Sequence, residues 1–176
     1  MKKIILFTTV IYLIFNVIAI AQNKYAGVKS CLACHKGEKG SMIYENWLKT
    51  KHASAYKTLL SEKSKEIAKK LKITVPPNEA PECLKCHATG FFPNEQMLPT
   101  NNKEDGVTCE ACHGPGSAYR AAHGINKKEE GIKKGLVIGT GDEKICIKCH
   151  NPESPTYVPF NYKRDWEKVK HSLTKK

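Results

Sequence analysis

The string C-x-x-C-H occurs four times in this chain of 176 residues, and it constrains the fold more than any other feature. In each copy two residues separate the cysteines, and a histidine directly follows the second one. This is the pattern of an attachment site for a c-type haem, whose vinyl groups take up both thiols while the histidine coordinates the iron. The gap places the thiols about one helical turn apart. Motifs 1 to 4 are Cys31–His35, Cys83–His87, Cys109–His113 and Cys146–His150.

Two other uses of paired cysteines explain the sequence less well. Zinc sites with four thiolate ligands can be built from C-x-x-C pairs, and small exported proteins often carry disulfides. Neither accounts for a histidine after every second cysteine. The sequence therefore predicts four covalently bound haem c groups. The attaching residues are Cys31, Cys34, Cys83, Cys86, Cys109, Cys112, Cys146 and Cys149, which are all the cysteines of the chain.

The first residues have the pattern of an export signal. A basic start is followed by the apolar residues 4–20 and by the small-x-small sequence Ala19-Ile20-Ala21. This arrangement predicts a signal peptide over residues 1–21, cleaved before Gln22, rather than a retained membrane anchor. Export agrees with haem c attachment, which takes place outside the inner membrane. It predicts a periplasmic or equivalent location and argues against a nucleic-acid partner.

Residues 22–176 offer about 40 residues for each of four haems, too few to build a protein core in addition to the cofactors. We therefore expect one tetrahaem cytochrome domain over residues 22–176. Its fold class is mostly α with extensive loops, a compact tetrahaem cytochrome c fold in which the haems form the core. No sheet is predicted. Helices are predicted over 41–60, 61–72, 117–123 and 164–174, with loops over 88–108, 124–142 and 151–161.

The histidines limit the coordination of the irons. Three histidines remain outside the motifs, each on a predicted helix, and we expect all three to be distal ligands. Three distal ligands cannot serve four irons, so one iron takes Met97, a lysine or water, or stays open. We favour three bis-histidine, low-spin haems and one five-coordinate, high-spin haem. The metal ligands are then His35, His87, His113 and His150 from the motifs, with His52, His123 and His171.

The chain is strongly basic, with a formal net charge of +12 and lysines in several clusters. Three interpretations remain open for this surface. It steers an acidic redox partner, it binds anionic lipid, or it keeps the protein soluble.

Two stretches of sequence resemble the cytochrome c-554 family of nitrifying bacteria. One is motif 1 followed by Trp47-Leu-Lys-Thr-Lys-His52-Ala-Ser-Ala-Tyr56. The other is Gly106-Val-Thr-Cys-Glu-Ala-Cys-His-Gly-Pro-Gly116, with His123 downstream. The likeness runs in order along nearly all of residues 22–176.

The resemblance implies a mostly helical tetrahaem fold with haems stacked in closely spaced pairs. It also implies that the open iron is the one held by His87. His123 would lie over the first haem, His52 over the third and His171 over the fourth. A loop shields the open iron in the family, and Val158-Pro159-Phe160 matches its position, with Val158 where the family pattern has threonine.

By the same resemblance, the chain is expected to be a periplasmic electron carrier in nitrogen metabolism. It would accept electrons from a multihaem enzyme of the hydroxylamine-oxidising type and pass them to a cytochrome or to a membrane quinone-linked acceptor. The alternative is a reductase of nitric oxide, or of a related small molecule, at the open haem on His87. The sequence offers that site no clear general acid, so no catalytic residue is assigned.

Overall fold

A computed structural model describes residues 22–124, 127–138 and 142–172 of the chain. The predicted signal peptide, residues 1–21, lies outside the described residues. Within those ranges, every helix is too short or too polar to span a lipid bilayer.

The described residues form nine short α-helices joined by loops and turns, and no β-strand. An isolated parallel bridge joins Tyr25 to Met97. The predicted class, mostly α with extensive loops, is confirmed. The helices are α1 (Lys29–His35), α2 (Ile43–Leu48), α3 (Ala55–Thr58), α4 (Glu62–Lys70), α5 (Pro81–His87), α6 (Glu110–His113), α7 (Lys128–Lys133), α8 (Glu143–Ile147) and α9 (Tyr162–Trp166), with 3-10 turns at Glu38–Gly40, His52–Ser54 and Lys103–Asp105.

Capping residues mark the start of several helices. The side chains of Ser61, Asp142 and Asn161 precede α4, α8 and α9, and each accepts a hydrogen bond from a backbone N–H of the first turn. Pro81 opens α5, where its missing N–H costs no helical hydrogen bond. Local chemistry thus sets where these helices begin, although helices this short need tertiary contacts to persist.

The helix predicted over 41–60 is divided in the structure into α2, the turn His52–Ser54 and α3. The division has a tertiary cause. The indole Nε1 of Trp47 donates to the carbonyl oxygen of Val107 at 2.9 Å, and the N–H of Val107 donates to the carbonyl oxygen of His52 at 3.0 Å. A straight helix could not bring Trp47 and His52 to the same residue ahead of motif 3.

Three other expectations are corrected. Residues 117–123 form hydrogen-bonded turns instead of a helix, and α7 lies inside the loop predicted over 124–142. The last helix, α9, ends at Trp166, so His171 follows the helix and does not lie on it. Tertiary contact explains α7, since a Cβ on its Gly131 would lie 2.7 Å from the Cβ of His123.

Few apolar side chains form a protein core. Tyr56 and Leu59 pack on Leu84 and Ala88, which joins α3 to α5. Large apolar side chains stay exposed, among them Val158, at 73% of its surface. The prediction that haems form the core agrees with this small cluster and remains a prediction.

Candidate functional site

All four motifs adopt helical geometry, which places their two cysteines one turn apart. The histidine is the last residue of the helix in three of them, where α1, α5 and α6 end at His35, His87 and His113. Motif 4 begins in α8, and the backbone N–H of His150 donates to the carbonyl oxygen of Cys146 at 3.0 Å. All eight cysteines are free thiols. The disulfide interpretation therefore has no support in the structure.

The structure places a second histidine ring opposite three of the motif histidines. The ring centroids lie 5.9 Å apart for His35 and His123, 6.0 Å apart for His52 and His150, and 5.9 Å apart for His113 and His171. Two imidazoles bound to opposite sides of one metal by bonds of about 2 Å have centroids about 6 Å apart. The spacing of each pair therefore fits one metal ion between two rings.

The pairing differs in part from the one implied by the resemblance. His123 lies opposite His35, as implied. His52 lies opposite His150 in motif 4 and His171 opposite His113 in motif 3, which exchanges the two implied partners. Helices α6 and α8 pack against each other, so motifs 3 and 4 are neighbours. A histidine arriving at this junction can face either motif, and sequence likeness alone does not decide which.

Hydrogen bonds orient several of the rings. The Nδ1 atoms of His87, His113 and His123 lie 2.8, 2.8 and 3.0 Å from the carbonyl oxygens of Ala55, Val137 and Tyr119. A carbonyl oxygen only accepts, so Nδ1 carries the proton and Nε2 keeps its lone pair for a metal.

The protonation of the buried rings also suits a ligand. Burial lowers the pKa of His35, His52 and His113, and nearby histidines lower it further. Lower pKa values favour the neutral imidazole, which is the form that binds iron.

His87 stands apart from the other motif histidines. All seven histidines lie in the described residues, and six of them form the three pairs. His87 faces no second imidazole, and Thr58 Oγ1 lies 3.1 Å from its Nδ1. The Met97 side chain packs near Gly90, where a Cβ would lie 3.2 Å from its sulfur. Gap-filling is the packing role expected for this methionine.

The motifs contact one another in an order that differs from the sequence. A thiol of motif 1 lies within hydrogen-bonding reach of one in motif 3, and the same holds for motifs 2 and 4. Motifs 3 and 4 are neighbours because α6 packs against α8. The spatial order is therefore motif 1, motif 3, motif 4 and motif 2. The two thiol contacts are Cys31–Cys109 and Cys86–Cys149.

The donor set fits covalently attached haem. Each motif offers two thiols beside one imidazole, and three motifs have a second imidazole at the spacing of a bis-histidine iron. The described residues contain no cluster of three or more histidine, cysteine and acidic side chains arranged to hold a bare metal ion.

Two features near the motifs were not found from the sequence. Glu110, inside motif 3, is buried and accepts hydrogen bonds from backbone N–H groups, yet nothing in its spacing distinguishes it from an exposed glutamate. The ring of Phe160 stacks on His150 at 5.0 Å between centroids. The loop that the resemblance assigned to shielding the iron of His87 thus contacts motif 4. Earlier in the loop predicted over 151–161, Glu153 pairs with Lys85 of motif 2 at 3.6 Å.

Comparisons with known proteins agree with this arrangement. The family model described as cytochrome c554 and c-prime matches residues 30–114, which include motifs 1 to 3. Cytochrome c-554 of Nitrosomonas europaea is 32% identical over 143 residues, which cover 74% of this chain and 59% of that protein. No solved structure matches the chain. A c-type cytochrome carries covalently bound haem. The matched motifs and the identity along most of the chain place this protein in the cytochrome c-554 family.

Proposed function

We propose that the protein is a tetrahaem c-type cytochrome that carries electrons. The observation that supports this most is the set of three histidine pairs, each with centroids about 6 Å apart and each including a motif histidine. Residues 22–176 form its single domain, and the protein works in the periplasm after removal of residues 1–21. Bound haem supplies one-electron chemistry at an iron whose potential the protein adjusts.

The residues of the chain suit a carrier in three ways. The cysteines fix each porphyrin covalently. The three histidine pairs would each supply two imidazole ligands to one iron, an arrangement that suits electron transfer without exchange of ligands. The contacts among the motifs support the order 1, 3, 4 and 2 for the proposed haems, which would give a continuous path through the molecule.

The donor in this proposal is a multihaem enzyme of the hydroxylamine-oxidising type, and the acceptor is a cytochrome or a membrane quinone-linked carrier. The basic surface supports acidic partners, since complementary charge speeds transient encounters. Lys69 and Lys70 at the end of α4, and Lys72 just after it, form no ion pair with any residue that the structure describes.

A second candidate function is reduction of nitric oxide or a related small molecule. The position of His87 favours it, because this is the one motif histidine that no other imidazole faces. The hydrogen bond from its Nδ1 to the carbonyl oxygen of Ala55 leaves Nε2 free to bind an iron. Because no second imidazole faces His87, an iron held there would have a position open for a small ligand.

Electron paramagnetic resonance of the oxidised protein, with spins counted against haem content, tests both proposals. We expect four haems per chain, of which three are low-spin and one is high-spin. Four low-spin haems would remove the small-molecule site. Fewer than four haems would contradict the carrier proposal itself.

Variants of two methionines separate an open iron from one closed by sulfur. Met97→Leu is expected to leave one high-spin haem, and Met42→Leu is its matched control, since the two side chains are 39% and 40% exposed. If the unaltered protein had only low-spin haems and Met97→Leu alone gained a high-spin one, Met97 would be the missing ligand.

A further inference from the structure

Glu110 is a buried acidic side chain that the electron-carrier proposal does not use. Its residue is 1% exposed. Its oxygens accept hydrogen bonds from the backbone N–H groups of Ala26 at 2.8 Å, Gly27 at 2.7 Å and Gly116 at 2.6 Å. All of these neighbours donate, so both oxygens act as acceptors, as in an ionised carboxylate. The contacts join the N-terminal segment, motif 3 and the loop after it at one point.

Glycines shape the space around this carboxylate. A Cβ on Gly116 would lie 2.8 Å from Glu110 Oε1, closer than side-chain atoms tolerate. Gly27 has a φ of +82°, and a Cβ there would lie 2.5 Å from the carbonyl oxygen of Thr100. Both N–H groups approach the carboxylate because these two residues lack a side chain.

The carboxylate lies beside the attachment cysteines of two haems. Glu110 directly follows Cys109, whose thiol is within hydrogen-bonding reach of Cys31 in motif 1. The hydrogen bond with Cys109 and burial raise the pKa of Cys31, and the charge of Glu110 adds to this rise. Burial raises the pKa of Tyr119, and the charge of Glu110 adds to that rise as well. In the part of the chain that the structure describes, no lysine, arginine or histidine pairs with Glu110.

A negative charge acts strongly at short range in a buried region, because water does not screen it there. Ferric haem carries one more positive charge than ferrous haem, so a nearby anion favours the ferric state. Buried charges and hydrogen bonds around a haem are among the means by which a protein sets its reduction potential. Glu110 is placed to act on motifs 1 and 3 together, because it lies inside motif 3 and next to the contact between Cys109 and Cys31.

We propose that the Glu110 carboxylate lowers the reduction potentials of the haems attached at motifs 1 and 3. It is a positioning residue that acts through its charge and through its hydrogen bonds with the backbone N–H groups of Ala26, Gly27 and Gly116. The inference depends on the proposed attachment of haem at these two motifs. It would make this pair the low-potential end of the path that runs from motif 1 to motif 2.

The test is a redox titration of the purified holoprotein, followed by optical and paramagnetic resonance spectra, for Glu110→Gln. We expect two of the four potentials to rise by at least a tenfold change in the one-electron equilibrium, about 59 mV. The other two should move much less. Unchanged potentials with four haems and three low-spin signals retained would overturn the inference and leave the carrier proposal intact. Absence of four haems in the unaltered protein would instead defeat the carrier proposal.

Three further variants separate charge from position. Glu143→Gln is the matched control, since Glu143 stands three residues before a motif cysteine but is exposed. It should shift the potentials little. Glu110→Asp keeps the charge, and Gly116→Ala crowds the carboxylate without removing it, so both should keep the two potentials low. If Glu110→Asp or Gly116→Ala raised these two potentials by about 59 mV or more, the charge of Glu110 would not be the cause of the low potentials. These two variants keep the proposal testable even if Glu110→Gln does not assemble with its haems.

In the same titration the affected haems can be identified. His123→Ala removes the ring opposite His35, so the motif 1 haem should give a second high-spin signal besides that of the haem on His87. In the double variant that carries both His123→Ala and Glu110→Gln, the motif 1 haem should have a higher reduction potential than in His123→Ala alone. An equal potential in the two proteins would contradict the assignment to motif 1.

Discussion

Single imidazole rings carry most of the chemistry in this molecule, and the backbone holds them in place. The Nδ1 atom of His113 donates to the carbonyl oxygen of Val137, and that of His123 to Tyr119. Each bond fixes both the tautomer and the plane of its ring. The two rings come from different elements. The His113 ring lies opposite His171, and the His123 ring lies opposite His35. The seven candidate ligands could be proposed by counting histidines, whereas the pairs that these rings form required the three-dimensional arrangement.

Replacing His52 tests the exchanged pairing directly. In His52→Ala we expect a second high-spin haem, and it should be the haem of motif 4, because the His52 ring lies 6.0 Å from His150. Paramagnetic resonance gives the spin count. Lys51→Ala, at the exposed neighbouring position, is the control and should leave the count unchanged. A high-spin haem at motif 3 would restore the pairing that the resemblance implied, and an unchanged spin count would remove His52 from the ligands.

The helices of this chain are short, and their lengths show what the sequence can and cannot predict. The motif helices and the N-cap of α4 follow from local patterns, since C-x-x-C-H and Ser61 each act within one or two turns. The division of the helix over 41–60 depends on Val107, which is distant in sequence. Helix α7 depends on the contact of Gly131 with His123. Periodicity contains no information about such contacts, so those boundaries were missed.

Helix α9 supports His171 and gives a prediction at this scale. Asp165 accepts from Arg164 at 2.6 Å and from Lys168 at 2.7 Å, and these contacts lower its pKa. A lowered folded-state pKa means that the carboxylate stabilises the helix above the ordinary aspartate range and loses this effect as the pH falls through the folded value. In Asp165→Asn we expect less urea to be needed to convert the motif 3 haem to high spin.

The pH dependence of this difference is informative. Asp165 is ionised at both pH 7 and pH 5.5, so the gap in urea midpoint between Asp165→Asn and the unaltered protein should be the same at both. Glu167→Gln removes a neighbouring surface pair with Lys170 and is the control, with a smaller effect expected. A gap that closes between pH 7 and pH 5.5 would show that the pKa of Asp165 is raised instead of lowered, because an aspartate with an ordinary pKa of about 3.9 is still ionised at pH 5.5.

At the scale of the whole molecule, the polypeptide is strongly basic, and the motifs on the proposed electron path follow an order that differs from their order in the sequence. The formal net charge of +12 belongs to the polypeptide, and ionised haem propionates would reduce it without reversing its sign. The proposed path runs from motif 1 through motifs 3 and 4 to motif 2. A basic carrier of this kind attracts acidic partners from a distance in dilute salt.

Salt dependence measures this attraction without knowledge of the partner. We expect oxidation of the reduced protein by ferricyanide, an anion, to slow as ionic strength rises from about 0.01 M to about 0.15 M, where the Debye length falls from about 30 Å to about 8 Å. Stopped-flow absorbance gives the rates, and an uncharged quinone is the control reagent. A ferricyanide rate independent of salt would exclude steering and leave lipid binding or solubility as the role of the lysines.

The distance in sequence between each motif and the histidine opposite it has a consequence for biogenesis. In the proposed cytochrome, the chain is exported and acquires its haems as it emerges. The motif 1 haem would then gain its second histidine only after His123 has emerged. The motif 3 haem would gain its second histidine only after His171, which follows the last helix, has emerged. A chain truncated before His171 would keep all four attachment sites and still present a second open iron. Three bis-histidine irons would therefore be present only in chains whose synthesis and export have reached His171.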